Sequence, residues 1–179
     1  MPRAESEKAR RGNVLPCVSL AGLTDLEDGS SGKMPEARSD AVEHAVPEAG
    51  VPPPHAILFD PFSPKKNPAM WTVPLFAGLL RRLDPQRPCA LATYTRSTMA
   101  RVTMLLGGFF VGVGHPSGLK EETTMAANRP DLLDEPLDRR WLERAKSSHS
   151  AEPLSGPVYR QAPLSPETWE RLRQHPQFR

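Results

Sequence analysis

A chain of 179 residues with 38% apolar and 6% aromatic residues is long enough for one domain with a modest core. Its 21 prolines are well above the average share and predict long irregular segments. A net charge of +2 is too small to indicate nucleic acid binding by itself, and no apolar run is long enough to span a membrane.

Residues 1 to 54 show little apolar periodicity and are rich in Glu, Ser, Gly, Ala and Pro. This composition predicts disorder, or a segment unrelated to the rest of the chain. Residues 55 to 127 carry the clearest structural signals and form the predicted folded region. Residues 128 to 179 mix proline breaks with two short helical patterns and read as a tail.

The folded region begins with HAILFD, a continuous apolar run that ends at Asp60 and predicts a strand buried on both faces. TVPLFAGLLRRLD predicts a helix capped by Thr72. CALATYT predicts the next strand. STMARVTMLLGG predicts a second helix, with Ser97 or Thr98 as its cap and Gly107–Gly108 as its stop.

Two further strands, FFVGVGHP and KEETTMAA, are predicted to follow with a turn between them. Alternating strands and helices predict an α/β protein with a parallel sheet, and the last two strands suggest an antiparallel pair at one edge. In the tail, DEPLDRRWLERAKSS and SPETWERLRQHP predict helices capped by Asp138 and Ser165, the latter with Pro166 in its first position.

The longest functional signal is the loop after Asp60. In open α/β sheets, ligands bind at the carboxyl ends of the strands, where this carboxylate would orient a substrate amine. Phe62 offers a face for a planar base, and Lys65 and Lys66 are natural phosphate contacts. Prolines 61, 64 and 68 reduce the freedom of the loop, and Asn67 can hold it through side-chain bonds.

Each of these residues alone is more often a turn former or solvated surface. The length of the segment favours function, because a plain βα connection needs only about 2–6 residues. The segment from Asp60 to Thr72 is much longer.

The stretch ILFDPFSPKKNPAMW, from Ile57 to Trp71, resembles the loop after strand four in the methyltransferase domain of MnmC-type enzymes. These enzymes make 5-methylaminomethyl-2-thiouridine at the wobble position of bacterial tRNA. The resemblance continues through LATYT, a helix ending in Gly-Gly-Phe, and the KEE segment, and it covers about residues 55 to 127.

The resemblance implies a Rossmann-like class I methyltransferase fold and methyl transfer from S-adenosyl-L-methionine to the aminomethyl nitrogen of the uridine, with tRNA as partner. Asp60 would bind or deprotonate the amine as the catalytic residue. The residues that would bind the substrate or shape its pocket are Phe62, Pro64, Lys66, Asn67, Trp71, Thr93, Tyr94, Lys120 and Glu121, with Thr95 facing the same crevice.

The cofactor-binding half of such a fold is expected before residue 55. Its one candidate, CVSLAGLTDLEDGSSG, contains no G-x-G turn, and its acids Asp25, Glu27 and Asp28 are typical of a solvated run. We therefore expect an incomplete, C-terminal half of the fold, left by truncation or a frameshift, with an inner strand lacking a neighbour. We expect weak or no binding of S-adenosyl-L-methionine by this chain alone. No flavin fingerprint is present, so no flavin is expected.

Other chemistry finds little support. The five histidines have no ligand spacing, which predicts no metal site, and no G-x-S-x-G elbow indicates a hydrolase. Cys17 and Cys89 lie too far apart for a disulfide framework, so a cytoplasmic location is expected. Two alternatives stay open: a non-catalytic nucleic-acid-binding or interaction module, and a methyltransferase of the same family that acts on another amine.

Overall fold

The computed structural model describes residues 17–21, 53–116, 118 and 121–179, with the backbone alone for residues 17–21. Lys120 and the acidic run with Asp25, Glu27 and Asp28 lie outside these residues.

A mixed sheet forms the centre of the described fold, with the strand order β1-β2-β3-β5-β4-β6. The first three strands are parallel, and β5 pairs antiparallel with both β3 and β4. The strands are β1 (Cys17–Ala21), β2 (Ala56–Asp60), β3 (Ala90–Thr93), β4 (Phe110–Gly114), β5 (Thr123–Ala127) and β6 (Glu135–Pro136).

Four α-helices occur among the described residues: α1 (Val73–Arg82), α2 (Thr98–Leu106), α3 (Arg139–Lys146) and α4 (Pro166–Arg173). The predicted caps are confirmed. Thr72, Asp138 and Ser165 accept a hydrogen bond from a backbone N–H in the first turn of α1, α3 and α4, respectively. Ser97 precedes α2 without a side-chain cap bond, and Gly107 ends that helix.

The predicted antiparallel pair is confirmed, but its order in the sheet is not the sequential one. β5 lies between β3 and β4, so the chain passes from α2 to the outer strand β4 and then turns back inwards. The sequence showed two close strands, and their spacing did not determine which of them would pair with β3.

The expectation of an unpaired inner strand is wrong. β1 runs parallel to β2 along its whole length, from the Cys17–Ala56 pair to the Ala21–Asp60 pair. It lies within residues 1 to 54, where the sequence predicted no strand. The apolar run of this strand is only five residues long and stands in a segment whose composition predicts disorder.

The prediction that β2 is buried on both faces is also wrong. Ile57 and Phe59 are buried, whereas Leu58 is 51% exposed and Asp60 is exposed. Phe59 packs against Phe76 of α1, with ring centroids 5.2 Å apart. The covered face of the sheet therefore lies under the helices, and the Leu58 face is open in the described structure.

The C-terminal segment adds to the same core. Trp141, Leu142 and Leu172 are buried parts of the hydrophobic cluster. The Gln177 side chain donates from Nε2 to the Val111 carbonyl (2.7 Å) and accepts at Oε1 from the Val111 N–H (2.8 Å). This amide satisfies backbone groups of β4, which limits the exposed sheet edge on that side.

No helix among the described residues is long and apolar enough to cross a membrane. The same part of the chain contains no group of three or more His, Cys, Asp or Glu side chains that could hold a metal ion.

Candidate functional site

The candidate site is the carboxyl end of β2 and β3, on the open face of the sheet. Leu58 is the register partner of Ala92, and side chains two residues apart on a strand share a face. Asp60 and Tyr94 each follow this pair by two residues, at the carboxyl ends of neighbouring parallel strands. Asp60 is exposed and Tyr94 is 53% exposed. A carboxylate and a phenol are therefore both accessible at these strand ends.

The loop after Asp60 is ordered by backbone hydrogen bonds and a short 3-10 helix. The N–H groups of Lys66 and Asn67 both donate to the Ser63 carbonyl, at 2.9 and 3.0 Å. A 3-10 helix over Pro68–Trp71 follows and leads directly into α1. These contacts and the fixed φ of its prolines restrict the loop backbone, and its preorganisation for a ligand stays a prediction.

Phe62 is the most unusual residue of this loop. Its φ is 62°, which makes it the one non-glycine residue with a positive φ in the described part of the chain. A bulky residue pays a steric cost in this region, and such strain concentrates at functional sites. The side chain is 54% exposed, so its ring is available to a ligand.

Trp71 supports Phe62 from inside the core. Its indole Nε1 donates to the Phe62 carbonyl at 3.0 Å. The ring itself is only 2% exposed and meets Phe59 edge-on, with centroids 5.2 Å apart. The expectation that Trp71 lines the substrate pocket is therefore corrected: the indole holds the loop backbone and does not face the open side.

The other loop residues divide by exposure. Lys65 and Lys66 are exposed, whereas Pro64 is buried. Asn67 precedes the 3-10 helix without a side-chain cap bond. The loop thus presents two ammonium groups and the Phe62 ring to solvent.

Thr93, Tyr94 and Thr95 do not share one crevice. Thr93 is buried at 6% exposure on the face that carries Leu91, under the helices, so its predicted place beside Asp60 is wrong. Tyr94 lies on the open face. The Thr95 carbonyl accepts a hydrogen bond from Thr124 Oγ1 of β5 at 2.6 Å.

In the KEE segment, the ionic contact belongs to the residue after the predicted pair. Glu121 is exposed, and Glu122 Oε1 lies 2.6 Å from Nη2 of Arg101 in α2. Arg101 is 4% exposed and was missed from the sequence. A signal was present in the sequence, because Arg101 is the one charged residue in the predicted helix STMARVTMLLGG. In the structure every residue of α2 from Met99 to Leu105 is buried.

The glycines of the described residues show no open backbone cradle of the kind that a bound cofactor would fill. An added Cβ at Gly107, Gly112 or Gly114 would lie 2.4 to 2.6 Å from the protein's own atoms, so these glycines serve internal packing. An added Cβ at Gly118 or Gly156 would meet no heavy atom within 4 Å.

The fold and this site agree with one family of enzymes. Residues 39–129 match a protein family described as S-adenosyl-L-methionine-dependent methyltransferase. The chain belongs to this family.

Particular relatives narrow the resemblance. Two curated proteins, from Aeromonas hydrophila subsp. hydrophila and Pseudomonas savastanoi pv. phaseolicola, are named tRNA 5-methylaminomethyl-2-thiouridine biosynthesis bifunctional protein MnmC. They are 34% and 32% identical over 89 and 93 residues, which is 50% of this chain in each case. The matches span 13% and 14% of the relatives' own lengths.

A solved structure shows a similar fold. The crystal structure of MnmC2 from Aquifex aeolicus superposes with a TM-score of 0.51 and 25% identity. The match covers 76% of this chain and 41% of that one. These findings confirm the resemblance to MnmC proteins inferred from the loop.

Proposed function

We propose that this chain carries the acceptor side of an amine methyltransferase, and that its acceptor is the aminomethyl group of a tRNA wobble uridine. The observation that carries the proposal is the exposed Asp60 at the end of β2, where the loop with the strained Phe62 begins, while the exposed Tyr94 follows the end of the neighbouring strand β3. The name of the MnmC relatives supports the choice of substrate and of tRNA as partner.

Asp60 would act on the acceptor nitrogen. A carboxylate accepts hydrogen bonds from an amine and so fixes the direction of the nitrogen lone pair, which in-line methyl transfer requires. It is also a place for the proton that the nitrogen must lose, because only a neutral amine can attack. Asp60 is exposed on the open face, where an incoming substrate can reach it.

The neighbours of Asp60 suit a nucleotide. The exposed Phe62 ring offers a stacking face, and the exposed Lys65 and Lys66 can pair with phosphates. Loop bases of RNA can turn out of their stack and present both features at once. The pocket would be shaped from behind by Pro64, Asn67 and Trp71. It would be bordered by Lys120 and Glu121. Thr93 has no direct role.

S-adenosyl-L-methionine is the methyl donor that the family implies. We propose that this chain alone binds it weakly, since neither the described glycines nor the sequence before β2 provides a glycine-rich turn. We also propose that the chain uses no flavin and works in the cytoplasm.

A non-catalytic RNA-binding module is the second candidate. The observation that favours it is the exposure of two aromatic rings, Phe62 and Tyr94, and of two lysines, Lys65 and Lys66. Such side chains can bind a single strand without a cofactor. A family member acting on another amine is the third candidate.

The test is a paired measurement on the whole chain: calorimetric titration with S-adenosyl-L-methionine, and transfer of labelled methyl to undermodified tRNA or to small amines. We expect no cofactor binding in the micromolar range, and micromolar affinity would contradict the proposed weak binding. Methyl transfer to tRNA and not to small amines would support the proposed substrate. Tight tRNA binding without dependence on Asp60 would support the RNA-binding module instead.

A further inference from the structure

Arg101 carries a buried positive charge in α2. Its Nη2 contacts Glu122 Oε1 at 2.6 Å and donates to the Thr123 carbonyl at 2.9 Å, while its Nε donates to Thr124 Oγ1 at 2.9 Å. Removing a guanidinium from water is unfavourable, and ionic and hydrogen-bond partners offset this only when their geometry is good. Three directed partners meet that condition.

These bonds extend to the strand end beside Asp60. Arginine can only donate, so Thr124 Oγ1 must accept from Arg101 and use its own hydrogen for the Thr95 carbonyl, 2.6 Å away. Thr95 Oγ1 in turn accepts from the Ser97 N–H at 3.1 Å, at the start of α2. The Thr124 hydroxyl thus links the Arg101 guanidinium to the Thr95 backbone, accepting from the one and donating to the other.

A second branch holds the segment before β5. Glu122 is tied to Arg101, and the next residue, Thr123, donates from Oγ1 to the His115 carbonyl at 2.8 Å. The residues just after β3 and the start of β5 are thus both bonded, directly or through Thr124, to one guanidinium.

We propose that Arg101 is a positioning residue for the acceptor site. Through Thr124 it holds the backbone at Thr95, directly after Tyr94, and through Glu122 it holds the start of β5. This inference rests on the proposed function for its purpose, but the positioning itself can be measured without activity. A lysine could not replace Arg101, because an ammonium group lacks the planar fork that reaches Thr124 and Glu122 together.

The measurement uses the two tyrosines of the chain, Tyr94 and Tyr159. The whole protein is labelled with 3-fluorotyrosine, and its two fluorine resonances are assigned with Tyr94→Phe. We expect Thr124→Val, which keeps the side-chain shape but removes the hydroxyl, to shift or broaden the Tyr94 resonance and to leave Tyr159 unchanged. Thr124→Ser keeps the hydroxyl and should restore the wild-type spectrum.

Arg101→Lys tests whether the guanidinium of Arg101 is needed to hold Tyr94 in place. Arg81→Lys, on the exposed side of α1, is its matched control. Arg101→Lys should move the Tyr94 resonance and Arg81→Lys should not. If Arg101→Lys does not fold, Thr124→Val still decides the question. An unchanged Tyr94 resonance in folded Thr124→Val would overturn the inference.

Binding of an anticodon stem-loop RNA with aminomethyl-uridine at the wobble position separates the inference from the proposed function. We expect Thr124→Val to bind it about three- to tenfold more weakly than Thr124→Ser. A moved Tyr94 resonance without this loss would refute the proposed acceptor, and would also show that Arg101 positions Tyr94 for some other purpose.

Discussion

At the scale of single residues, backbone strain and the proposed function coincide at Phe62. The residue has a positive φ of 62°, and the buried indole of Trp71 donates to its carbonyl. The sequence predicted that the loop would be rigid, but attributed this to its prolines. Trp71 was predicted to line the substrate pocket. A sequence pattern can show that an aromatic residue ends a loop, but it does not show whether the ring faces the core or the open side of the sheet.

Trp71→Phe should release this loop. The variant loses the bond to the Phe62 carbonyl and part of the buried ring, so we expect about 2–4 kcal/mol less stability. It should also bind the stem-loop RNA more weakly, because Phe62 is no longer held. Denaturant unfolding and RNA titration provide the two readouts. Trp169→Phe, which removes a partly buried indole from α4, should leave RNA binding unchanged; an equal loss in both variants would contradict this role of Trp71.

His175 predicts a pH dependence of stability. Burial lowers the pKa of its imidazole below the ordinary value of 6.5. The unfolded chain then takes up a proton below about pH 6.5 that the folded chain refuses, so the free energy of unfolding should fall as the pH drops through this range. Above this range both states are neutral at His175 and the contribution vanishes.

Unfolding of His175→Phe, measured between pH 7.5 and about pH 5, should show a shallower loss of stability than the wild type. His149 is exposed, and His149→Gln should keep the wild-type slope. A wild-type slope in His175→Phe would show that other groups cause the dependence.

At the scale of elements, the helices were predictable and the sheet was less so. Local signals define a helix, and the caps at Thr72, Asp138 and Ser165 are where the sequence placed them. Which strand lies next to which is decided by distant contacts. The insertion of β5 and the pairing of β1 with β2 therefore escaped prediction. The exposure of Leu58 escaped prediction for the same reason, because an apolar run does not show which faces of the sheet are covered by other elements.

Gly107 shows how closely α1 and α2 pack. A Cβ at this position would lie 2.5 Å from Cβ of Phe76. Neither atom can move away unless the backbone of its helix shifts. We expect Gly107→Ala to cost about 1–3 kcal/mol, although alanine is the better helix former. Thermal or denaturant unfolding measures this. Gly156→Ala, where the added Cβ meets nothing within 4 Å, is the control and should stay close to wild type.

At the scale of the whole molecule, the tail is part of the fold. The family match ends at residue 129, yet the Leu154 carbonyl accepts from the Val73 N–H at 2.9 Å, two residues after Trp71. The tail thus bonds to the first residue of α1, directly after the loop that follows Asp60. The proposed acceptor side could be predicted from the sequence because its loop is long and specific. The contacts of Arg101 and Leu154 could not, because they join residues distant in sequence.

The central claim is that Asp60 recognises an acceptor amine. The most direct measurement compares two anticodon stem-loop RNAs, one with aminomethyl-uridine and one with plain uridine at the wobble position, in titrations with wild type and Asp60→Asn. Loss of a charge-assisted hydrogen bond costs about 1.5–3 kcal/mol, so wild type should prefer the amine by about tenfold or more and Asp60→Asn should lose that preference. Equal affinity of wild type for both RNAs, or an undiminished preference in Asp60→Asn, would contradict the account.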